Sequence, residues 1–220
     1  ILAGTESTYP PYEFRDADNN LKGFDIDMVE AIAAKIGKKV EWVDMPFDSL
    51  IPSLLAKKID IIAAGLSATE ERAKKVAFSE NYEISISAFI VKDDNNALKN
   101  VDDMKGKVIA VQLGTVQETY SLTIPDAQVK SFQKFDDCVR EVILGRADAT
   151  LMDVPVTKSY VEHKDFAGKI KVAFGQEITG SGKAMAMNLG ETAFVEAVNG
   201  ALKELEESGE LGKMKEQWFK

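Results

Sequence analysis

Apolar positions along this chain fall into short runs with two periods, and the two kinds of run alternate. Leu2–Gly4 reads as an apolar strand that Pro10-Pro11 stops, and Tyr12–Arg15 with the polar Asp18-Asn19-Asn20 turn reads as a short hairpin. From Phe24 to Gly37 the apolar residues at 28, 29, 32, 33 and 36 form a helical stripe. Asp25 and Asp27 sit in its first turn and Gly37 follows its end, as macrodipole and C-cap chemistry favour. Lys39–Asp44 alternates as a strand, and Leu50–Ala56 predicts a helix with Pro52 in its first turn. Ile59–Ala64 is an unbroken apolar run, typical of a strand buried on both faces. After the extended run Ser85–Val91 the order restarts: strand Val108–Val111, helix near Val116–Leu122, strand Gln128–Phe132, helix Asp136–Leu144 and strand Ala149–Met152. Glu191–Glu207 and Leu211–Phe219 read as two helices separated by Gly209. This alternation predicts an α/β fold in which mostly parallel sheets are flanked by helices.

The restart behaves as a weak internal repeat. An ungapped offset of 88 residues lays Phe47-Asp48 on Phe135-Asp136, Leu54-Leu55 on Val142-Ile143, Lys58 on Arg146 and Asp60 on Asp148. Two helix–strand units with generic patterning would give part of this match, but agreement at both Phe-Asp starts and both strand entries favours two lobes of similar topology. The expected first lobe is 1–88 with 186–220, and the second is 89–185, joined by extended segments near 85–91 and 183–188. The same offset puts Gly65 on Asp153, both just past the carboxyl end of a central strand, where open α/β sheets bind ligands. Two such lobes are expected to enclose a cleft and to close over a small molecule.

Composition narrows the partners. In 220 residues there are 27 Lys and Arg against 36 Asp and Glu, a net charge of −9, without the basic cluster a nucleic-acid binder needs to displace phosphate counterions. The same acidity repels anionic lipid headgroups, so neither nucleic acid nor a membrane surface is an expected partner. A single cysteine, Cys138, excludes an internal disulfide, and one Cys with one His cannot close a zinc site. No apolar run approaches the roughly 18 residues of a membrane span. The start at Ile1-Leu2-Ala3 suggests that an upstream signal or lipid anchor was removed.

Several segments can carry chemistry. In Gly65-Leu66-Ser67-Ala68-Thr69-Glu70-Glu71-Arg72 a strand ends, Thr69 can cap a new helix, and amide N–H groups, the Ser67 hydroxyl and the Arg72 guanidinium can converge on a carboxylate or phosphate. The same residues read equally as a plain capped helix with Arg72 paired to a nearby Glu. Gln112-Leu113-Gly114-Thr115-Val116 repeats the strand–glycine–helix arrangement without the Lys-Ser/Thr of a P-loop. Asp153 at a strand end is either a helix cap or a receptor for an ammonium group. Tyr9 and Phe47, in loops near strand ends, can sandwich a flat or cationic group or serve as hydrophobic anchors, and Glu6 completes the set. Cys138 falls at an inward helical position and His163 in a polar stretch. Neither a nucleophile elbow nor a His-Glu-x-x-His zinc motif is present, and no catalytic residue, metal or cofactor is expected.

Taken in order, these blocks closely resemble the periplasmic amino-acid-binding proteins that deliver substrate to ABC importers. The resemblance spans nearly the whole chain. It is carried by Gly4-Thr5-Glu6 through Tyr9-Pro10-Pro11-Tyr12, Gly23-Phe24-Asp25-Ile26-Asp27, Phe47-Asp48-Ser49-Leu50-Ile51-Pro52, Ala64 through Arg72, and Gln112-Leu113-Gly114-Thr115. It implies two α/β lobes, a two-strand hinge and closure over one L-amino acid. By the resemblance Arg72 grips the ligand α-carboxylate with the Ser67 hydroxyl and amide and the Val116 amide. Asp153 and the carbonyl near Gly65 take the α-ammonium, Tyr9 and Phe47 pack on the side chain, and Glu6 and Gln112 lie near its tip. The chain departs from the common pattern at Val116 (often Thr or Gly), at Ala64 (often Ser) and through Phe78–Glu83. Counting charge, Asp153 and Arg72 neutralise the zwitterion and Glu6 remains, and an unbalanced carboxylate in a closed cleft costs several kcal/mol. Arginine is therefore the first expectation, then lysine or histidine, with glutamine or another neutral polar amino acid as the alternative. The expected setting is a monomer serving an ABC permease, free in the periplasm or lipid-anchored at the cell surface. The rivals are a prephenate or arogenate dehydratase on the same scaffold and a sensory domain from a membrane receptor.

Overall fold

The computed structural model describes residues 1–180 and 182–219, so Ser181 and Lys220 of the expected lobes lie outside the described residues. Contacts divide the chain into one unit of Ile1–Ile84 with Gly182–Lys220 and a second of Ser85–Ser181. The crossings thus fall at 84/85 and 181/182, ahead of the expected 88/89 and 185/186. Pairing explains the shift. Ser87–Lys92 ladders along its length with strands Ala149–Asp153 and Ile170–Gln176, so it belongs wholly to the second unit. Gly182-Lys183 pairs with Glu83-Ile84 and belongs to the first.

The first unit holds a five-stranded sheet in the order Glu41–Asp44, Leu2–Thr5, Ile61–Ile62, Ala186–Asn188, Val76–Phe78. The first three strands run parallel, Ala186–Asn188 is antiparallel to both its neighbours, and Val76–Phe78 therefore runs with the first three. Helix Phe24–Lys35 buries the expected stripe of Met28, Val29, Ile32 and Ala33. Gly23 before it stands at φ 134, where a Cβ would meet the Tyr12 carbonyl oxygen at 2.1 Å, so only glycine fits this approach. The next helix is Phe47–Leu55, starting ahead of the expected Leu50, and Phe47 is a helical rather than a loop residue. Pro46 and Asp48 supply the start, and Pro52 falls inside the helix. An internal proline costs about 3 kcal/mol, which burial of Leu50 and Leu54 at roughly 1.5–3 kcal/mol each offsets. The hydrogen-bonded strand after it is shorter than the apolar run, Ile61–Ile62, although Ile59 through Ala64 are buried except for Asp60.

The second unit repeats the plan. Its sheet order is Gln128–Phe132, Val108–Gln112, Ala149–Asp153, Ser87–Lys92, Ile170–Gln176, again with only the fourth strand running against the others. In both units the first βαβ strand sits between the second and the third. The 88-residue offset survives at atomic detail. Helices Phe47–Leu55 and Phe135–Ile143 match end to end. Asp60 accepts from the Leu2 amide at 2.7 Å, and Asp148 accepts from the Val108 amide at 2.8 Å. Lys57 at φ 56 stands where Gly145 has φ 68. Helix Val154–Glu162 and strand Ile170–Gln176 are elements that the periodicity did not predict.

Candidate functional site

Each unit gathers its candidate residues at the carboxyl edge of its own sheet. In the first, strands Leu2–Thr5 and Ile61–Ile62 run parallel in register, so Glu6 and Ala64-Gly65 emerge at the same edge. Glu6 is buried and its carboxylate accepts from Thr8 Oγ1 at 2.8 and 3.0 Å. Tyr9, on strand Thr8–Tyr9, stacks on Tyr12 at 5.7 Å and 17°. Gly65 has φ 53, and a Cβ there would lie 3.0 Å from the Tyr9 ring, so glycine lets the turn pass beneath the aromatic. Ala64 is buried and contributes backbone only.

Thr69 caps helix Glu70–Ala73 as expected, its hydroxyl accepting from the Arg72 amide at 3.2 Å. The Arg72 guanidinium lies over the Phe47 ring, 5.6 Å from its centroid, and Nη1 donates to the Ser67 carbonyl at 2.8 Å. Burial pushes Arg72 down to about 10, with nearby Glu71 opposing the shift, so the group stays charged at neutral pH. Phe47 is thus a platform for the arginine. Ser67 is buried, and its hydroxyl accepts from Lys183 Nζ at 3.1 Å. Two cations therefore converge on one serine, Arg72 at its carbonyl and Lys183 at its hydroxyl.

In the second unit the register that sets Ile109 opposite Ala149 brings Gln112 and Asp153 to one edge. Gln112 is buried and Nε2 donates to the Gln133 carbonyl at 3.0 Å. Thr115 caps helix Val116–Ser121, accepting from the Glu118 amide and donating to the Gln112 carbonyl at 2.7 Å. Val116, half-buried, opens that helix, where backbone N–H groups lack intrahelical acceptors. Asp153 is buried at the N-cap of helix Val154–Glu162, yet its side chain makes no cap hydrogen bond. The structure thus sets Asp153 apart from the common capping role.

Sequence reasoning missed Lys183, Glu13 and the true place of Asp25. Lys183 is 1% exposed, and its signal was a lone cation between Gly182 and the apolar Ala184–Met187. Asp25 is no solvated helix-dipole acid: it is buried, and its Oδ2 accepts from the Gly65 amide at 2.8 Å and from Tyr82 Oη at 2.7 Å. Asp27 instead accepts from Trp218 Nε1 at 2.8 Å. Cys138 is buried in the core, where burial pushes its thiol up, and His163 is half-exposed beside Phe166. Among the described residues no cluster of three His, Cys, Asp or Glu could hold a metal ion, and no helix is long and apolar enough to cross a membrane.

Two α/β units of one topology, each with polar groups at its strand ends, define the class of bilobal ligand-binding folds. The chain belongs to the bacterial extracellular solute-binding proteins, family 3, which it matches over residues 1–220. It is 33% identical to the arginine-binding extracellular protein ArtP of Bacillus subtilis, across 100% of this chain and 86% of that protein. It is 31% identical to the histidine-binding periplasmic protein of Salmonella typhimurium, across 100% of this chain and 87% of that one. An ancestral arginine-binding protein solved with arginine superposes with a TM-score of 0.95 at 37% identity, covering 100% of this chain and 98% of that chain.

Proposed function

We propose that this protein is a non-catalytic receptor for one free L-amino acid with a cationic side chain, arginine first, handed to an ABC import permease. The observation that carries the reading is the convergence of Arg72 and Lys183 on Ser67. A hydroxyl and a forked guanidinium in a positively charged, buried setting suit a carboxylate. Asp153, buried at its strand end and not capping its helix, suits the α-ammonium. Glu6, beside Tyr9, supplies the negative charge that a guanidinium or ammonium tip would meet, and the relatives named for arginine and histidine agree with that polarity. Export from the cytoplasm follows from the same reading.

Calorimetry and thermal shift against the twenty free amino acids test it. Arginine at about a hundred times its Kd is expected to raise stability by about 2.7 kcal/mol, with lysine or histidine next. Glutamine as the strongest ligand would move the assignment to a neutral polar receptor. No response to any amino acid, or carbon dioxide release from prephenate or arogenate, would end it.

A further inference from the structure

Glu13, on strand Glu13–Arg15, and Asp25, in the first turn of helix Phe24–Lys35, are 1% and 0% exposed. Asp25 Oδ2 is satisfied by the Gly65 amide and the Tyr82 hydroxyl. Its Oδ1 and Glu13 Oε2 are buried without a hydrogen-bond partner, and the Asp25 amide donates to the Tyr12 carbonyl at 2.9 Å, which brings the Asp25 carboxyl close to that of Glu13. Two carboxylates cannot satisfy one another, because both are acceptors only. One proton on either group supplies a donor that neither carboxylate has. The groups facing the pair are Glu6, Lys183, Tyr82 and, through Tyr82, Tyr12, whose hydroxyl donates to Glu83 at 2.9 Å. With one proton on the pair, the buried Asp25 carboxylate and Lys183 ammonium cancel. With none, a second negative charge lies buried beside Glu6.

We propose that Glu13 and Asp25 share a single proton, Glu13 the acid and Asp25 the carboxylate, and that this pair is the positioning device for the turn at Gly65–Ser67. The positioning half rests on the amino-acid reading above, because that turn carries Ser67; the proton itself does not. Asp25 holds the Gly65 amide in a left-handed conformation just before the residue on which Arg72 and Lys183 converge. Burial, then the Asp25 and Glu6 charges, push Glu13 well above the ordinary carboxyl range. Burial pushes Asp25 to about 6, against the Gly65 and Tyr82 hydrogen bonds that favour its charge. A carboxyl whose pKa is raised on folding contributes stability below its unfolded value and loses it as pH rises toward the folded one. The loss therefore begins above the ordinary Glu value of 4.5 and continues toward alkaline pH.

Infrared spectroscopy of the intact, ligand-free protein tests the proton. At neutral pH the wild type is expected to show the carbonyl stretch of a protonated carboxylic acid, bleached on raising the pH and absent from Glu13→Gln, whose carboxamide still donates to Asp25. Arginine affinity measured from about pH 6 to about pH 9 tests the positioning, and the variant-to-wild-type ratio cancels the titration of the ligand's own amine. That ratio should rise about tenfold across the range, the equivalent of one pKa unit. Absence of the band in the wild type, its persistence in Glu13→Gln, or a pH-independent ratio each overturns the proposal. If no amino acid binds, the functional reading fails separately, while the band and the pH dependence of the wild-type thermal midpoint still decide the proton; the wild-type titration needs no variant to fold.

Discussion

Ser67 is where three kinds of contact meet: its carbonyl takes Arg72, its hydroxyl takes Lys183, and its backbone bridges the strand that carries Lys183. A carboxylate arriving there meets charge already fixed in place, so little ordering remains to oppose binding. Arg72→Ala is expected to remove binding of every amino acid by at least a hundredfold, because losing one partner of a buried ion pair costs about 3–5 kcal/mol. Glu6→Gln should act differently, weakening arginine about tenfold or more while leaving glutamine nearly unchanged. Calorimetry with both ligands on both variants separates the two roles, and equal losses of arginine and glutamine in Glu6→Gln would remove Glu6 from the side-chain end.

At the scale of elements, each unit's first strand is clamped by an acid from the entry to its third. Asp60 receives the Leu2 amide and returns its own amide to the Leu2 carbonyl, and Asp148 does the same with Val108. Asp148→Ala would strand the Val108 amide and is expected to cost about 1–3 kcal/mol, read as a lower urea midpoint at unchanged slope. This clamp was visible in the sequence as a basic-x-Asp entry occurring twice, and with it the strand–helix order, the Thr69 cap and the edge positions of Gly65 and Asp153. The helix Val154–Glu162 was not legible, because Pro155 and a polar Thr157-Lys158-Ser159 interrupt an apolar stripe reduced to Val156 and Tyr160. A helix read from Leu50 with Pro52 in its first turn leaves Phe47 in a loop, whereas the helix starts at Phe47 and holds Pro52 inside it, with Leu50 and Leu54 buried. The carboxyl pair of Glu13 and Asp25 could not be read at all. Its members belong to different elements, and only the tertiary fold brings Asp25 to Gly65.

At the scale of the whole molecule, the second unit is one unbroken stretch with its own five-stranded sheet and a core around Phe89, Ile109, Val111 and Leu151. A fragment of residues 85–181 is therefore expected to unfold cooperatively in urea by circular dichroism, and a broad, featureless transition would contradict its autonomy. The first unit has no such independence. Strand Ala186–Asn188 lies between Ile61–Ile62 and Val76–Phe78 in its sheet, so Val76–Phe78 has no neighbour until the chain has passed the entire second unit. Ribosomes add about 5–20 residues per second, which leaves the nascent amino-terminal segment without the fourth strand of its sheet for roughly 5–20 s. Lys183 reaches the Ser67 hydroxyl only after the same delay. The sheet that carries Arg72 is thus completed only after the whole second unit has followed it in the chain.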